Sequence, residues 1–311
     1  MMQLHTGQRV GAFQITGFLG RGAFAQVHLA EDSSGRQVAL KVGDVQGGGR
    51  FIPRFAEITF TRDPRAVSPD EALAEALFLD PQHGARSEIL GASEVDELIL
   101  HEAALLAKAD GRGTPRFFDL IYPDGRPVIV MEPVRGSTLR ERIRSLEGVK
   151  IAWLGEIARI VEGLIARGWN CHGDLKPENI MVTEDERIVL VDPVPESCRE
   201  DRVVTTPAYN PFLRWDARGD TQSLAILLYE LLACSLPFEH APFPLAGTGT
   251  AARSDEDRRL ALALYLSYPP LREVNALTPE PLDDIVHLAL CDARFGLGEF
   301  RAGIERFLLR G

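Results

Sequence analysis

The feature that most constrains this chain is a polar octet, His172–Asn179, set between hydrophobic segments. The apolar residues before it have helical spacing, and two short apolar runs after it predict a pair of strands around a polar turn. The octet is therefore expected on a loop held by packed elements. This loop carries Asp174, Lys176 and Asn179, and a further carboxylate, Asp192, follows the second strand. Such a set suits a reaction that accepts a hydroxyl proton, neutralises phosphate charge and holds Mg²⁺ through oxygen ligands.

The octet resembles the catalytic loop of the protein kinase superfamily, His-x-Asp-Leu-Lys-Pro-x-Asn, with Gly173 where most members have arginine. Its Lys-Pro-Glu-Asn part is similar to the Ser/Thr branch rather than the Tyr branch. The resemblance implies that Asp174 accepts the proton of the substrate hydroxyl and that Lys176 steadies the transferring phosphate. It also implies that Asn179 and Asp192 hold metal ions. A chance polar turn is a poor alternative, because the octet matches in the expected strand context.

A glycine-rich turn, Leu19–Val27, precedes these motifs in a region of short β-type runs. Gly20 and Gly22 allow backbone amides to approach an anion because no Cβ intervenes. Ala25 stands where the family pattern has a third glycine. Glycine turns of this kind are common in hairpins, so this one gains its meaning from the strand that follows it.

Lys41 ends that strand, Val-Ala-Leu-Lys, at kinase-like spacing. By resemblance its ammonium group pairs with the α- and β-phosphates of ATP; without the preceding turn, an ordinary surface lysine would be the better interpretation. A second apolar strand breaks at Pro133 and resembles the inner strand and the hinge between two lobes. The resemblance implies that the nucleotide pocket is lined by Gly20, Gly22, Val27, Ala39, Lys41, Glu102, Met131, Glu132, Val134 and Met181.

A helix with apolar positions at 3.6-residue spacing is predicted to start at Ser93, with Asp96 near its beginning. Glu102 falls on the apolar face of this helix. A carboxylate in a buried stripe is costly unless it is paired. By resemblance its partner is Lys41, which forms the ion pair that active kinases need. The alternative is a carboxylate that extends into solvent from the edge of the stripe.

Residues 43–92 are not covered by the resemblance, because the family joins this strand and helix by a much shorter link. A flexible glycine-rich segment, Gln46–Arg50, opens the insert, and interleaved aromatic and arginine residues follow it. Ser68–Asp80 has the capping-box spacing of a short amphipathic helix. We favour a packed decoration of the small lobe. The basic and aromatic patch, in an otherwise acidic chain, also supports the hypothesis that the insert docks a partner or protein substrate.

The family's Asp-Phe-Gly is here Asp192–Val194, with proline and valine after the acid. Proline biases the residue before it, Asp192, toward extended backbone. Without the usual Phe and Gly, the segment is expected to flip poorly between active and inactive forms. Because Gly173 replaces the arginine that usually reads activation-loop phosphate, phosphorylation of Thr205 or Thr206 is expected to matter little.

The segment Thr206–Tyr209 resembles the substrate-facing loop of Ser/Thr kinases, but the Ala-Pro-Glu that normally follows is Asn210–Phe212. The family's Glu–Arg clamp is thereby lost, and Arg294 is expected to face solvent or to find another partner. Asp220 opens a helix that is apolar on nearly every side and is therefore buried. By resemblance its carboxylate bonds the backbone of the catalytic loop, and a simple N-cap role is the alternative.

The net charge of −11 and the pI near 5.2 argue against nucleic acid as a standing partner. No apolar run reaches the roughly 18 residues of a membrane helix, and the N-terminus lacks the regions of a signal peptide. The four cysteines are scattered, which fits reduced thiols. We therefore expect a cytoplasmic protein with no membrane partner. The Ala-, Arg- and Leu-rich composition indicates a bacterial source.

The resemblance to protein kinases implies an α+β, two-lobed protein kinase-like fold. Residues 1–134 are expected to form a small antiparallel-sheet N-lobe with one main helix and the insert at about 43–92. Residues 135–311 are expected to form a mostly helical C-lobe. The expected function is phosphoryl transfer to Ser or Thr hydroxyls of a protein substrate, with ATP and Mg²⁺ as cofactors.

Two alternative functions remain open at this point. A pseudokinase, which binds nucleotide or a partner without turnover, is suggested by Pro193, Val194 and Phe212. A small-molecule kinase is suggested by His-Gly-Asp, which resembles the loop of antibiotic and choline phosphotransferases. Lys-Pro-Glu-Asn and Thr-Pro-Ala-Tyr argue against the second alternative, because those enzymes lack this loop.

If the insert docks a partner or protein substrate, deleting residues 46–90 will remove partner selectivity and leave ATP binding intact. Selectivity is measured by comparing how the full and the shortened chain phosphorylate or capture a panel of candidate proteins, with ATP titration as the control. Unchanged selectivity in the shortened chain would end this hypothesis.

Overall fold

The computed structural model describes residues 4–22, 24–44, 91–146, 148–194, 206, 208–211, 214–238 and 268–310, with the backbone alone at 52–53 and 87–88. The predicted helix at Ser68–Asp80 and the aromatic and basic patch of the insert lie outside these residues, as do Thr205 and Phe212.

The strands and helices follow one another in an α+β order. In sequence they are β1 (Arg9–Val10), β2 (Phe13–Arg21), β3 (Ala25–Glu31), β4 (Gln37–Gly43), β5 (Ile52–Pro53), β6 (Ser87–Glu88), α1 (Ala92–Ala109), β7 (Phe117–Ile121), β8 (Val128–Met131), β9 (Gly136–Thr138), α2 (Leu139–Ser145), α3 (Ala152–Ile165), β10 (Ile180–Thr183), β11 (Ile188–Leu190), α4 (Ala217–Ala233), α5 (Leu271–Val274), α6 (Glu280–Cys291) and α7 (Leu297–Leu308).

Six strands form an antiparallel sheet in the order β1-β2-β3-β4-β8-β7. Successive side chains of a strand point to opposite faces. In β4, Val38 and Leu40 therefore enter one apolar cluster, whereas Ala39 enters another that includes Ile99 of α1. Lys41 shares the face of Ala39, so the sheet directs its side chain toward α1.

Helices α2–α7 and a three-stranded sheet, β11-β10-β9, make up the second half of the fold. Residues 219–229 of α4 are all buried, and α4 shares one large apolar cluster with α3, α6 and α7. The octet follows α3 and leads into β10, as its flanking sequence predicts. Among the described residues, no helix has both the length and the apolar character needed to cross a membrane.

Helix α1 begins one residue earlier than expected, at Ala92 instead of Ser93. The reason is a local cap: the Glu94 side chain accepts a hydrogen bond from the backbone N–H of Gly91 at 2.7 Å. That contact satisfies one of the donors at the helix start. Asp96 takes no part in this cap and is used in a contact with the β7–β8 turn.

Gly136 in β9 generates a stability prediction. Its φ is 150°, and a Cβ there would clash with the Val182 carbonyl oxygen and lie 2.7 Å from Thr183 Cα in the neighbouring strand. We expect Gly136→Ala to lower the free energy of unfolding by about 2–3 kcal/mol, because both backbone strain and the clash act on it. Thermal unfolding measures this. Gly148→Ala is the control, since a Cβ at Gly148 has nothing within 4 Å. Equal melting temperatures for the two variants would contradict the prediction.

Candidate active site

The ammonium group of Lys41 lies at the centre of the candidate site. Its Nζ is 2.7 Å from Glu102 Oε1 on α1 and 2.6 Å from Asp192 Oδ1, which follows β11. The predicted ion pair between Lys41 and Glu102 is confirmed, and the alternative of a solvent-facing Glu102 is wrong, since its side chain is only 3% exposed.

The two carboxylates play different parts around this cation. Burial alone would lower the pKa of Lys41, but Asp192 and Glu102 raise it, so the ammonium form is retained. Burial raises the pKa of Glu102, against the attraction of Lys41. For Asp192, partial burial would raise the pKa, but the attraction of Lys41 prevails and lowers it. The Asp192 side chain is 43% exposed, so Glu102 anchors the cation from inside while Asp192 stays open to solvent.

The expectation of extended backbone at Asp192 is wrong. Its φ is 54°, in the left-handed region, which costs a non-glycine residue about 1–3 kcal/mol. Its ion pair and two backbone hydrogen bonds hold it there: Val191 N–H donates to Asn179 O at 3.0 Å, and Val194 N–H donates to His172 O at 2.9 Å. These contacts outweigh the bias that the following proline imposes.

Asp174 is the centre of the hydrogen bonds within the octet. Asn179 Nδ2 donates to Asp174 Oδ2 at 2.9 Å, and Lys176 Nζ lies 2.8 Å from the same oxygen. The backbone N–H of Thr206 donates to Asp174 Oδ1 at 2.7 Å, and Lys176 Nζ donates to the Thr206 hydroxyl at 2.5 Å. The three residues predicted for catalysis therefore form one cluster with the start of the Thr206–Tyr209 segment.

The Lys41 and Asp174 clusters are joined through Asn179. Its side chain bonds Asp174, and its backbone carbonyl accepts from Val191, the residue before Asp192. Gly22 of the glycine-rich turn also approaches this point, since a Cβ there would lie 3.9 Å from Asp192 Oδ2. The structure thus brings the acids at positions 102, 174 and 192 to one region.

Asp220 supports the octet from α4. Its carboxylate is 1% exposed and accepts the backbone N–H groups of His172 at 2.7 Å and Gly173 at 2.9 Å. This is the contact that the resemblance implies. The alternative N-cap role is wrong, because α4 begins earlier and its cap is Asp216, which accepts the Gly219 N–H at 2.8 Å.

Val194 forms an apolar contact, the apolar seat, on the underside of α1. This contact was not predicted from the sequence. Val194 is 2% exposed and packs with Val95 and Leu98 of α1, together with Phe24 and Trp215. The family's missing Phe is therefore replaced by a contact assembled from separate parts of the chain. No local pattern in the sequence points from Trp215 to α1.

Gly173 is required by its surroundings. Its φ is 82°, a conformation that favours glycine, and a Cβ there would lie 3.1 Å from Val194 Cβ. The arginine of the family pattern would not fit this backbone without moving Val194. The loss of the arginine and the change to valine are thus parts of one packing arrangement.

Three residues predicted to line the nucleotide pocket lie together. Val27, Ala39 and Met131 pack in one apolar cluster, where Ala39 and Met131 are partners on neighbouring strands. Gly20 pairs with Val27, and Val27 pairs with Lys41, so the glycine-rich turn rises directly beside the cation. The assignment of these residues to a nucleotide stays a prediction.

The predicted hinge has fewer backbone groups to offer a ligand than expected. The N–H of Glu132 donates to Arg116 O at 2.9 Å, and Pro133 has no N–H. The carbonyl of Glu132 and the N–H of Val134 are therefore the hinge groups suited to an adenine edge. Met181 is half-buried on β10, outside the cluster that holds Val27 and Met131.

Arg140, at the start of α2, is a further residue that the sequence analysis missed. Its guanidinium donates to Glu230 at 2.6 Å, to the Tyr209 hydroxyl at 2.5 Å and to Glu178 at 2.8 Å. It thus ties the Thr206–Tyr209 segment to the octet and α4. Arg294 is 91% exposed and pairs with its neighbour Asp292, as the missing clamp predicts.

Known proteins with similar sequences are protein kinases. CBL-interacting protein kinase 4 of Oryza sativa is 26% identical over 293 residues, covering 88% of this chain and 54% of that protein. Serine/threonine-protein kinase PknL of Mycobacterium tuberculosis is 30% identical over 200 residues, covering 56% of this chain and 48% of that protein. The chain therefore spans about half the length of the curated relatives it matches. No protein-family model matches it.

Solved kinase structures match nearly the whole chain. The apo form of PpkA-294 has a TM-score of 0.64 at 18% identity and covers 97% of this chain and 99% of that one. The kinase domain of PknI from Mycobacterium tuberculosis has a TM-score of 0.59 at 18% identity and covers 98% of this chain and 99% of that one. The chain has a protein kinase-like fold and is similar in sequence to Ser/Thr protein kinases. The predicted two-lobed α+β fold is confirmed, while the lobe boundary at residue 134 stays a prediction.

The donors of this kinase-like domain fit ATP and Mg²⁺ on chemical grounds. The Lys41 ammonium and the backbone beside Gly22 suit phosphate oxygens. Mg²⁺ prefers oxygen ligands and is usually held by one or two carboxylates together with substrate phosphates, not by an all-protein cage. Asp192 and Asn179 offer such oxygens. Among the described residues, no group of three or more His, Cys, Asp or Glu side chains could hold a metal ion.

His172 gives the kinase-like domain a predicted pH dependence. Burial lowers the pKa of His172 to about 4, whereas an unfolded histidine titrates near 6.5. The unfolded state therefore binds the extra proton first, and stability falls as the pH drops from about 6.5 toward 4. Between pH 7 and pH 5 this group should remove about 2 kcal/mol from the free energy of unfolding.

His172→Gln should lose that part of the pH dependence when the free energy of unfolding is measured by urea unfolding at several pH values. The exposed control His5→Gln should keep it. Identical slopes in all three proteins would disprove this account.

Proposed function

We propose that the chain is an ATP- and Mg²⁺-dependent kinase that transfers the γ-phosphoryl group to a Ser or Thr hydroxyl of a protein substrate. The observation that carries the proposal is a series of contacts in two parts. Glu102 and Asp192 bind Lys41. Val191, the neighbour of Asp192, bonds Asn179, which bonds Asp174, and Asp174 accepts from Thr206. Phosphoryl transfer depends mainly on positioning and on charge stabilisation, and this series supplies both.

Each residue of the series has a role that its surroundings support. When bound, Mg²⁺-ATP supplies the transferable group, and Lys41 is placed to hold its phosphates because Glu102 fixes the ammonium from inside. Asp174 receives the hydroxyl proton of the substrate. Lys176, beside Asp174, offsets the negative charge that develops on the phosphoryl oxygens. Asp192 and Asn179 would hold the metal ions through their side-chain oxygen atoms.

A protein substrate is favoured by the segment that contacts the proposed base. Thr206 bonds both Asp174 and Lys176, and Tyr209 in the same segment is bound by Arg140. Thr206 and Tyr209, held by these contacts close to the base, can position a polypeptide substrate. The named curated relatives are protein kinases, which supports the same substrate class.

The test is phosphate transfer from radiolabelled ATP with Mg²⁺ to generic protein substrates. Asp174→Asn should lower protein-bound label by about 100-fold or more, because it removes the proton acceptor. Its affinity for ATP should stay close to wild type. Asp124→Asn is the matched control, since Asp124 is exposed on the β7–β8 turn and asparagine also tolerates its positive φ.

Three outcomes separate the candidate functions. Label that disappears in Asp174→Asn but not in Asp124→Asn supports the protein kinase. Tight ATP binding without label in any variant overturns the proposal and indicates a pseudokinase. Transfer to an aminoglycoside or choline, with none to protein, indicates a small-molecule kinase.

A further inference from the structure

Arg126 joins the sheet to the first turns of α1. It lies on the turn between β7 and β8, and its Nη2 is 2.5 Å from Asp96 Oδ1 while its Nε is 3.0 Å from the same oxygen. Nη2 also donates to the carbonyl of Ala92 at 3.2 Å. A guanidinium that donates to a carboxylate and to a helix carbonyl at the same time fixes the orientation of the helix as well as its distance from the sheet.

Gly43 of β4 lies beside this contact. We call the group formed by Gly43, Asp96 and Arg126 the junction. Val42 of β4 pairs with Val128 of β8. Gly43, at the end of β4, and Arg126, just before β8, therefore lie at the same end of these two neighbouring strands. A Cβ at Gly43 would lie 2.6 Å from Val95 Cγ1. The absence of a side chain at this position thus lets α1 approach the sheet as closely as it does.

Helix α1 is also anchored at its other end. The indole Nε1 of Trp169 donates to the carbonyl of Leu105 at 3.0 Å. Glu102 lies between the two anchors, about 9 Å along the helix axis from Asp96. A helix held only at the Leu105 end could pivot about that point, and such a pivot would carry Glu102 away from Lys41.

We propose that Arg126 is a positioning residue for phosphoryl transfer, which holds α1 against the sheet so that Glu102 stays on Lys41. This inference rests on the proposed function, because its kinetic consequence is a fall in transfer rate. Arg126 touches none of the reacting groups and acts through Glu102.

The kinetic test is a double-mutant cycle in the full chain. Arg126→Gln should lower kcat about tenfold or more, because a small displacement of a charged group is costly in transfer reactions. In a Glu102→Gln background the same change should have less than about a twofold effect. Arg294→Gln, which removes an exposed arginine from an Asp–Arg pair, should leave kcat at the wild-type value. A loss that is equal in both backgrounds would show a general structural effect and overturn the proposal.

Gly43→Ala provides a second variant that perturbs the same junction without removing a charge. It should lower kcat in the wild-type background and have little effect in Glu102→Gln, as for Arg126→Gln. If both Gly43→Ala and Arg126→Gln keep kcat within about twofold of wild type, the junction does not position Glu102.

Hydrogen exchange separates the failure of this inference from the failure of the proposed function. Arg126→Gln should raise amide exchange in residues 95–102 of α1 by about tenfold, and leave α6 unchanged as an internal control. If the wild type transfers no phosphate, the proposed function fails and exchange alone decides the role of Arg126. Faster exchange in α1 then supports the anchor, and equal exchange overturns it.

Discussion

The fold depends on one buried cation, the ammonium group of Lys41. A lysine whose side chain is 3% exposed is tolerated only because carboxylates neutralise it. These carboxylates come from distant parts of the chain: Glu102 lies on α1 and Asp192 follows β11. Loss of one partner from a buried ion pair typically costs about 3–5 kcal/mol, so the requirement for charge balance holds the sheet, the helix and the loop region together.

The remaining contacts of the site hold the two segments that carry these carboxylates. On one side, α1 packs on Val194 and is bound near its start by Arg126 through Asp96. On the other, Asp220 holds the backbone of the octet, and the octet in turn bonds the segment around Asp192. Departures from the family pattern are therefore linked by packing, since glycine at 173 makes room for valine at 194.

Local sequence was sufficient where a motif and its flanking pattern agreed. The loop position of the octet followed from the apolar runs around it, and the burial of Glu102 followed from its place on an apolar helix face. Its pairing with Lys41 was implied by the resemblance to protein kinases. Local rules failed at Asp192, where the preference of a residue before proline was overcome by an ion pair and backbone hydrogen bonds. Trp215 and Arg140 were missed because their partners are distant in sequence and no periodicity connects them.

By itself, the sequence determined the identity of the charged groups and the burial of Glu102, because motif spacing and hydrophobic periodicity are local properties. The two-lobed plan was implied by the resemblance of these motifs to those of protein kinases. Only the tertiary structure decided the left-handed backbone at Asp192, the apolar seat beneath α1 and the anchoring of that helix by Arg126. Each of these depends on two or three segments meeting in space, and the energy of such a contact is not encoded in any one of them.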